Sequence, residues 1–179
     1  IAAKFCEENE ETLRILFDGA PEPYKTVYEE NRLLGHICAQ YFDEAAELTT
    51  KKTLHRDGEE CFFGMCISIG ELPRTFHILE GNTVMESAQK NGDVYFTSFG
   101  LSNHALSRRR ATGDDRDTVV IFRPLVTAGE LAEMENDLRA LRVPGPRNRT
   151  ARMRTPPRGG VVGFYERLAE FILKGPIAP

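Results

Sequence analysis

The chain changes its hydrophobic period several times, and each change predicts an element. Leu13, Leu16 and Phe17 share one face of a helix expected over Glu7 to Asp18, with acidic residues in its first turn and Gly19 where it stops. Beyond Pro21 and Pro23, the apolar residues Val27, Leu34, Ile37, Cys38, Tyr41, Ala45 and Leu48 recur at three- and four-residue steps. That spacing predicts one long amphipathic helix from about Tyr24 to Leu48. After Thr50 the period shortens. Thr53 to Arg56 is a short β-prone segment, and Cys61, Phe63, Met65, Ile67 and Ile69 alternate as a half-buried strand does. Thr75 to Leu79, Val94 to Phe99 and Thr118 to Phe122 predict three more strands.

Short helices are expected between those strands. Thr83 and Glu86 have capping-box spacing ahead of a helix that Asn91-Gly92 would end, and Leu101 to Arg110 reads as another with Ser102 as its cap. Thr127 and Glu130 repeat the capping box before the stripe Leu131, Met134, Leu138 and Leu141, which runs to about Arg142. Phe164 to Leu173 predicts a closing helix. Helices, then clustered strands, then helices give an α+β fold: N-terminal helices packed on a central mixed or antiparallel sheet with short interrupting helices. One domain of 179 residues is expected, with a helical part at 1–50, a sheet core at 51–142, a flexible Arg/Pro/Gly loop at 143–160 and a C-terminal helix at 161–179.

Composition narrows the class. Apolar residues at 41% and charged residues at 28% suit a globular protein, and no apolar run reaches the roughly 18 residues a membrane helix needs. No basic start followed by an apolar stretch is visible, so an intracellular place, cytoplasmic or nuclear, is expected, with no membrane contact. Cys6, Cys38, Cys61 and Cys66 are expected as free thiols, because two lie in apolar runs and none forms a disulfide pattern. The net charge of −4 hides a polarity between an acid-rich beginning and an arginine-rich later part. Arg108, Arg109 and Arg110, with Arg147, Arg149, Arg152, Arg154 and Arg158, are candidate contacts to RNA, DNA or an acidic protein.

No glycine-rich phosphate loop and no GxSxG nucleophile signature is present, although His36, His55, His77 and His104 offer bases. A zinc site from His36, Cys38, Cys61 and Cys66 is disfavoured, since Cys61 and Cys66 on one strand point to opposite faces; no metal is expected. The most informative stretch is NGDVYFTSFGLSNHA, preceded by TLHRDG. Leu54-His55, Val94-Tyr95-Phe96, Ser102 and Ala105 together resemble the ADP-ribosyltransferase superfamily over about residues 53–125. In its polymerase-like branch a His strand and a Tyr strand wall a cleft for NAD.

That resemblance implies a noncatalytic relative or an enzyme moving ADP-ribose from NAD to a macromolecule. His55 would donate to a ribose hydroxyl, Tyr95 would stack on nicotinamide, and Ser98, Ser102 and Arg56 would complete the NAD site. Arg56 stands where the polymerase-like branch has glycine, and matches instead the arginine of the toxin-like branch, with Thr97-Ser98 in its Ser-Thr-Ser motif. A carboxylate is wanted to stabilise the cation-like transition state. The candidates are Glu133 and Glu135, which stand on an expected helix, and Glu166 beyond the arginine loop. The alternative is a noncatalytic interaction domain that binds RNA, DNA or protein through the arginine segment.

Overall fold

The structure is a computed structural model; it describes residues 1–42, 54–70, 74–80, 83–108, 117–141 and 160–174. The chain divides into two compact units, one of residues 33–125 and one of 1–32 with 126–179.

The described residues of the first unit form two sheets and one 3-10 turn at Glu59–Cys61. Strands β1 (His36–Phe42), β2 (Gly64–Ile69), β5 (Val94–Thr97) and β7 (Asp117–Arg123) form one antiparallel sheet in the order β1-β7-β2-β5. Strands β3 (Arg74–Glu80), β4 (Thr83–Gln89) and β6 (His104–Arg108) form a second, in the order β4-β3-β6. Alternate residues of the two sheets face each other. Cys66, Val119 and Ile121 from the first meet Phe76 from the second in one buried cluster, with Cys38, Tyr95, Ile78 and Leu106 packed against it. Arg74, 2% exposed, ties the sheets at one end by donating to the carbonyls of Ile69 and Thr118.

The second unit is helical: α1 (Ala2–Glu8), α2 (Glu10–Asp18), α3 (Tyr24–Glu29), α4 (Ala128–Leu141) and α5 (Gly160–Lys174). Leu13, Leu16 and Phe17 of α2 are buried as their spacing requires, with Tyr24, Val27, Met134, Phe164 and Leu168. Phe164 lies 5.4 Å from Phe17 and 4.9 Å from Tyr24, ring centre to ring centre, and the hydroxyls of Tyr24 and Tyr165 are hydrogen-bonded. Each such buried side chain contributes roughly 1.5–3 kcal/mol. The expected capping box forms: Thr127 N–H donates to Glu130 Oε2 at 2.7 Å, and Glu130 N–H to Thr127 Oγ1 at 3.3 Å.

The fold class differs from the α+β expectation. The chain is mostly β, with helices at its two ends, rather than helices packed on one sheet with short helices inside it. Three segments account for the difference. The long helix expected from Tyr24 stops at Glu29, where Asn31 takes φ 55° and turns the chain, and His36 to Phe42 pairs along its whole length with β7. Seven residues of ladder, rich in Ile, Tyr and Phe, outweigh a helical spacing that those positions satisfied equally. Thr83 to Gln89 is strand β4, not a capped helix, because it runs in register against β3. Of the segment expected as a helix over Leu101 to Arg110, Leu101 stands in a turn, Ser102 in a bend, and His104 to Arg108 is β6.

The helix expected over Glu7 to Asp18 is two helices broken at Asn9, whose side-chain amide donates to the Phe5 carbonyl and competes with the ladder. Residues 43–53, including the end of the expected long helix, and residues 142–159, which hold all of the expected 143–160 loop except Gly160, lie outside the described residues. Among the described residues, no helix is long and apolar enough to cross a membrane.

Candidate metal centre

The site grows from a single antiparallel bridge. His55 N–H donates to the His104 carbonyl at 3.0 Å and His104 N–H to the His55 carbonyl at 2.8 Å, so the two residues are direct cross-strand partners. Side chains of such a pair stand on the same face, and the ring centres are 4.6 Å apart. In extended chain the residue two positions on returns to that face, which brings Asp57 beside both imidazoles. Asp57 is held there by its own N–H donating to the Phe99 carbonyl at 2.9 Å. Gly100 permits this approach: a Cβ on it would stand 2.7 Å from the Gly58 carbonyl oxygen.

His55 Nε2 is 3.6 Å and His104 Nε2 is 4.0 Å from Asp57 Oδ1, and one ligand atom from each of the three residues lies within 4.8 Å of the others. Ligands sharing one ion at about 2.0–2.2 Å are separated by roughly 3–4 Å, so the group fits a single divalent ion after a small contraction. The donor chemistry also fits. His104 Nδ1 faces the Ser102 carbonyl at 3.0 Å, which fixes the proton on Nδ1 and leaves the Nε2 lone pair turned toward Asp57. Burial lowers the pKa of the His104 imidazole below its ordinary value, keeping it neutral as a ligand must be. Asp57 Oδ2 accepts from Arg123 Nη2 at 3.1 Å.

The three side chains stand at the mouth of a cavity of about 130 Å³. His55 is 59% exposed, Asp57 20% and His104 8%, so the group grades from solvent into the interior. The walls behind it are Cys66, Tyr95, Val119 and Ile121 from one sheet and Phe76 and Leu106 from the other, with Phe99 between. A cavity near this size is roughly enough for a benzene-sized molecule. Burial raises the Tyr95 phenol above its ordinary value, with the neighbouring Cys66 adding to the shift, so the ring presents a neutral hydroxyl. The Cys66 and Cys61 thiols are pushed up to about 12, chiefly by burial, and all four cysteines are free.

The residues singled out for NAD are distributed as follows. His55 and Tyr95 line the same cavity, but from opposite sides: His55 pairs with His104 of β6, whereas Tyr95 pairs with Cys66 of β2 in the other sheet. They are not the walls of a cleft on neighbouring strands. Arg56 is exposed and absent from the cavity lining. The Ser98 and Thr97 hydroxyls are buried without a hydrogen-bond partner among the described residues, and Ser102 serves through its carbonyl rather than as a helix cap. Glu166 is exposed on α5, Glu133 is exposed on α4 and Glu135 is half-buried there, all in the helical unit. Arg108 ends β6; Arg109, Arg110, Arg147, Arg149, Arg152, Arg154 and Arg158 lie outside the described residues. Of the four residues weighed as zinc ligands, His36 is exposed on β1 while Cys61 and Cys66 are buried.

Asp57 and the partnership of His104 were missed by sequence reasoning. The signal was present as His-x-Asp on an extended segment, where both side chains must share a face.

No family model and no curated protein matches the chain. Among solved structures it is similar to the hydroxypropylphosphonic acid epoxidase from S. wedmorenis, at 9% identity over 49% of this chain and 42% of that one, with a TM-score of 0.34. It is also similar to the Drosophila melanogaster CENP-C cupin domain, at 12% identity over 49% of this chain and 59% of that one, with a TM-score of 0.33. The matched part thus spans less than two thirds of either structure. The resemblance to ADP-ribosyltransferases is corrected by these results: no such protein is matched, and the two residues that carried it stand on opposite sheets.

Proposed function

We propose that the sheet unit is a mononuclear iron(II) domain of the oxygenase type, with His55, Asp57 and His104 as its ligands. The observation that carries this is the convergence of two imidazole nitrogens and one carboxylate oxygen within 4.8 Å on a cavity with largely apolar walls. Two His and one carboxylate on one face of an ion leave the opposite positions open, a donor set associated with non-haem iron(II). Bound there, iron(II) would supply open positions for dioxygen and the one-electron chemistry that side chains lack. The protein's share is to hold the ligands, to keep His104 neutral and to exclude water from the cavity behind them.

A hydrolytic zinc site with the same ligands needs a second carboxylate to take a proton from water. Among the described residues, Asp57 is the one carboxylate lining this cavity, and Tyr95 is held protonated. With no second carboxylate beside the ligand set among the described residues, oxygen chemistry is favoured over hydrolysis. Nothing in this reading uses NAD, and it departs from the expectation of no metal, which weighed His36 and three cysteines and passed over Asp57.

Anaerobic loading with iron(II), followed by metal analysis and titration calorimetry, tests it. One ion per chain is expected, lost in both Asp57→Ala and His104→Ala, with slow dioxygen uptake by the iron form and none by the zinc form. Equal metal binding by Asp57→Ala and the parent protein would overturn the assignment.

A further inference from the structure

Asp57 does not offer its two oxygens equally. Oδ1 faces His55 Nε2 at 3.6 Å and His104 Nε2 at 4.0 Å, while Oδ2 is 3.1 Å from Arg123 Nη2. Arg123 is the last residue of β7, opposite His36 of β1, and its side chain is 20% exposed, as is that of Asp57. Its Nε is buried without a hydrogen-bond partner among the described residues, so Nη2 on Asp57 is where this guanidinium makes its described hydrogen bond. The carboxylate torsion of aspartate is soft, with no strong rotamer of its own. An arginine anchored in a central strand therefore decides which oxygen points inward.

We infer that Arg123 is a positioning residue that holds Asp57 as a one-oxygen ligand. This rests on the metal assignment above. With Oδ2 engaged, a carboxylate can give the ion one bond rather than two, and a six-coordinate ion keeps three adjacent positions for other ligands instead of two. The cation also draws electron density from the carboxylate, tempering its donor strength. Neither consequence follows from a surface ion pair that merely balances charge.

Cobalt(II), which reports coordination number through its visible absorption, is the probe. Arg123→Met is expected to bind cobalt with an altered visible spectrum, because the released carboxylate can then chelate through both oxygens. Arg123→Lys, which keeps a cationic donor at nearly the same reach, is expected to restore the parent spectrum. If Arg123→Met matches the parent in spectrum while Asp57→Ala binds nothing, the positioning role is wrong and the site stands. If Asp57→Ala also binds as the parent does, the site itself is wrong.

A measurement on the unsubstituted protein removes any dependence on the variants folding. Infrared difference spectra with carboxyl-labelled aspartate should show, on cobalt binding, the wide splitting of the two carboxylate stretches that marks one-oxygen ligation. The narrow splitting of two-oxygen chelation would overturn the proposal.

Discussion

Each unit of this chain contains an arginine clasped to a carboxylate, and the two pairs differ in how many oxygens they consume. In the helical unit Arg32 takes both oxygens of Glu130, Nη1 to Oε2 at 3.0 Å and Nη2 to Oε1 at 2.5 Å, while the same carboxylate closes the capping box of α4. In the sheet unit Arg123 takes one oxygen of Asp57 and leaves the other beside two imidazoles. A carboxylate whose lone pairs are all engaged within the fold is a structural clamp. One left with an oxygen turned toward two neutral-capable nitrogens has somewhere to bind a cation. The contrast separates a buttress from a ligand without reference to either sequence context.

Matched neutralisations break the comparison most sharply. Asp57→Asn keeps an oxygen that can accept from Arg123, so the fold is expected to lose no more than about 1 kcal/mol. Metal affinity is expected to fall by roughly 100-fold or more, since an amide is a poor ligand for a hard divalent ion. Calorimetric titration with iron(II) or cobalt(II), alongside urea unfolding of the metal-free protein, checks both halves. A variant that unfolds readily but binds metal normally would make Asp57 the buttress instead.

A smaller effect is expected at Gly100. The Cβ of Gly100→Ala would meet the Gly58 carbonyl oxygen at 2.7 Å, and backbone cannot swing aside as a side-chain tip can. The segment carrying His55 and Asp57 must therefore shift. A loss of about 1–3 kcal/mol is expected, with metal affinity reduced roughly tenfold, because ligand geometry tolerates little displacement. Equal affinity in Gly100→Ala and the parent would show that the segment is held elsewhere.

The uneven legibility of the sequence follows from the same physics. Strands β2, β3, β5 and β7 announced themselves because their alternation is local, and α4 because its capping box closes within four residues. Strand β1 did not, since Ile37, Cys38 and Tyr41 satisfy a helical spacing as well as a ladder and only the pairing with β7 decides. Strand β4 is mostly exposed and shows no burial alternation, leaving the Thr83 and Glu86 pattern to suggest a helix. The site was half visible. His55 stood out, but Asp57 sits before a glycine and reads as a turn residue, and His104 fell on a segment with helical appearance. Their meeting depends on a bridge between residues distant along the chain, which no window on the sequence contains.

The smallest effect belongs to the fully engaged carboxylate. Hydrogen bonding to Arg32, above all, holds the Glu130 carboxyl down to about 2, from an ordinary 4.5, against the opposing pull of desolvation. Because the folded value lies below the unfolded one, the pair's contribution is complete above about pH 4.5 and disappears as pH falls through about 2. A charge-assisted pair of this exposure, 18% and 14%, contributes roughly 1–2 kcal/mol. Glu130→Gln is therefore expected to lower stability by that amount at pH 6, and to differ little from the parent near pH 2, by urea unfolding at each pH. Its metal affinity should equal that of the parent. A loss of binding in Glu130→Gln comparable to that in Asp57→Asn would show that oxygen count alone does not distinguish clamp from ligand.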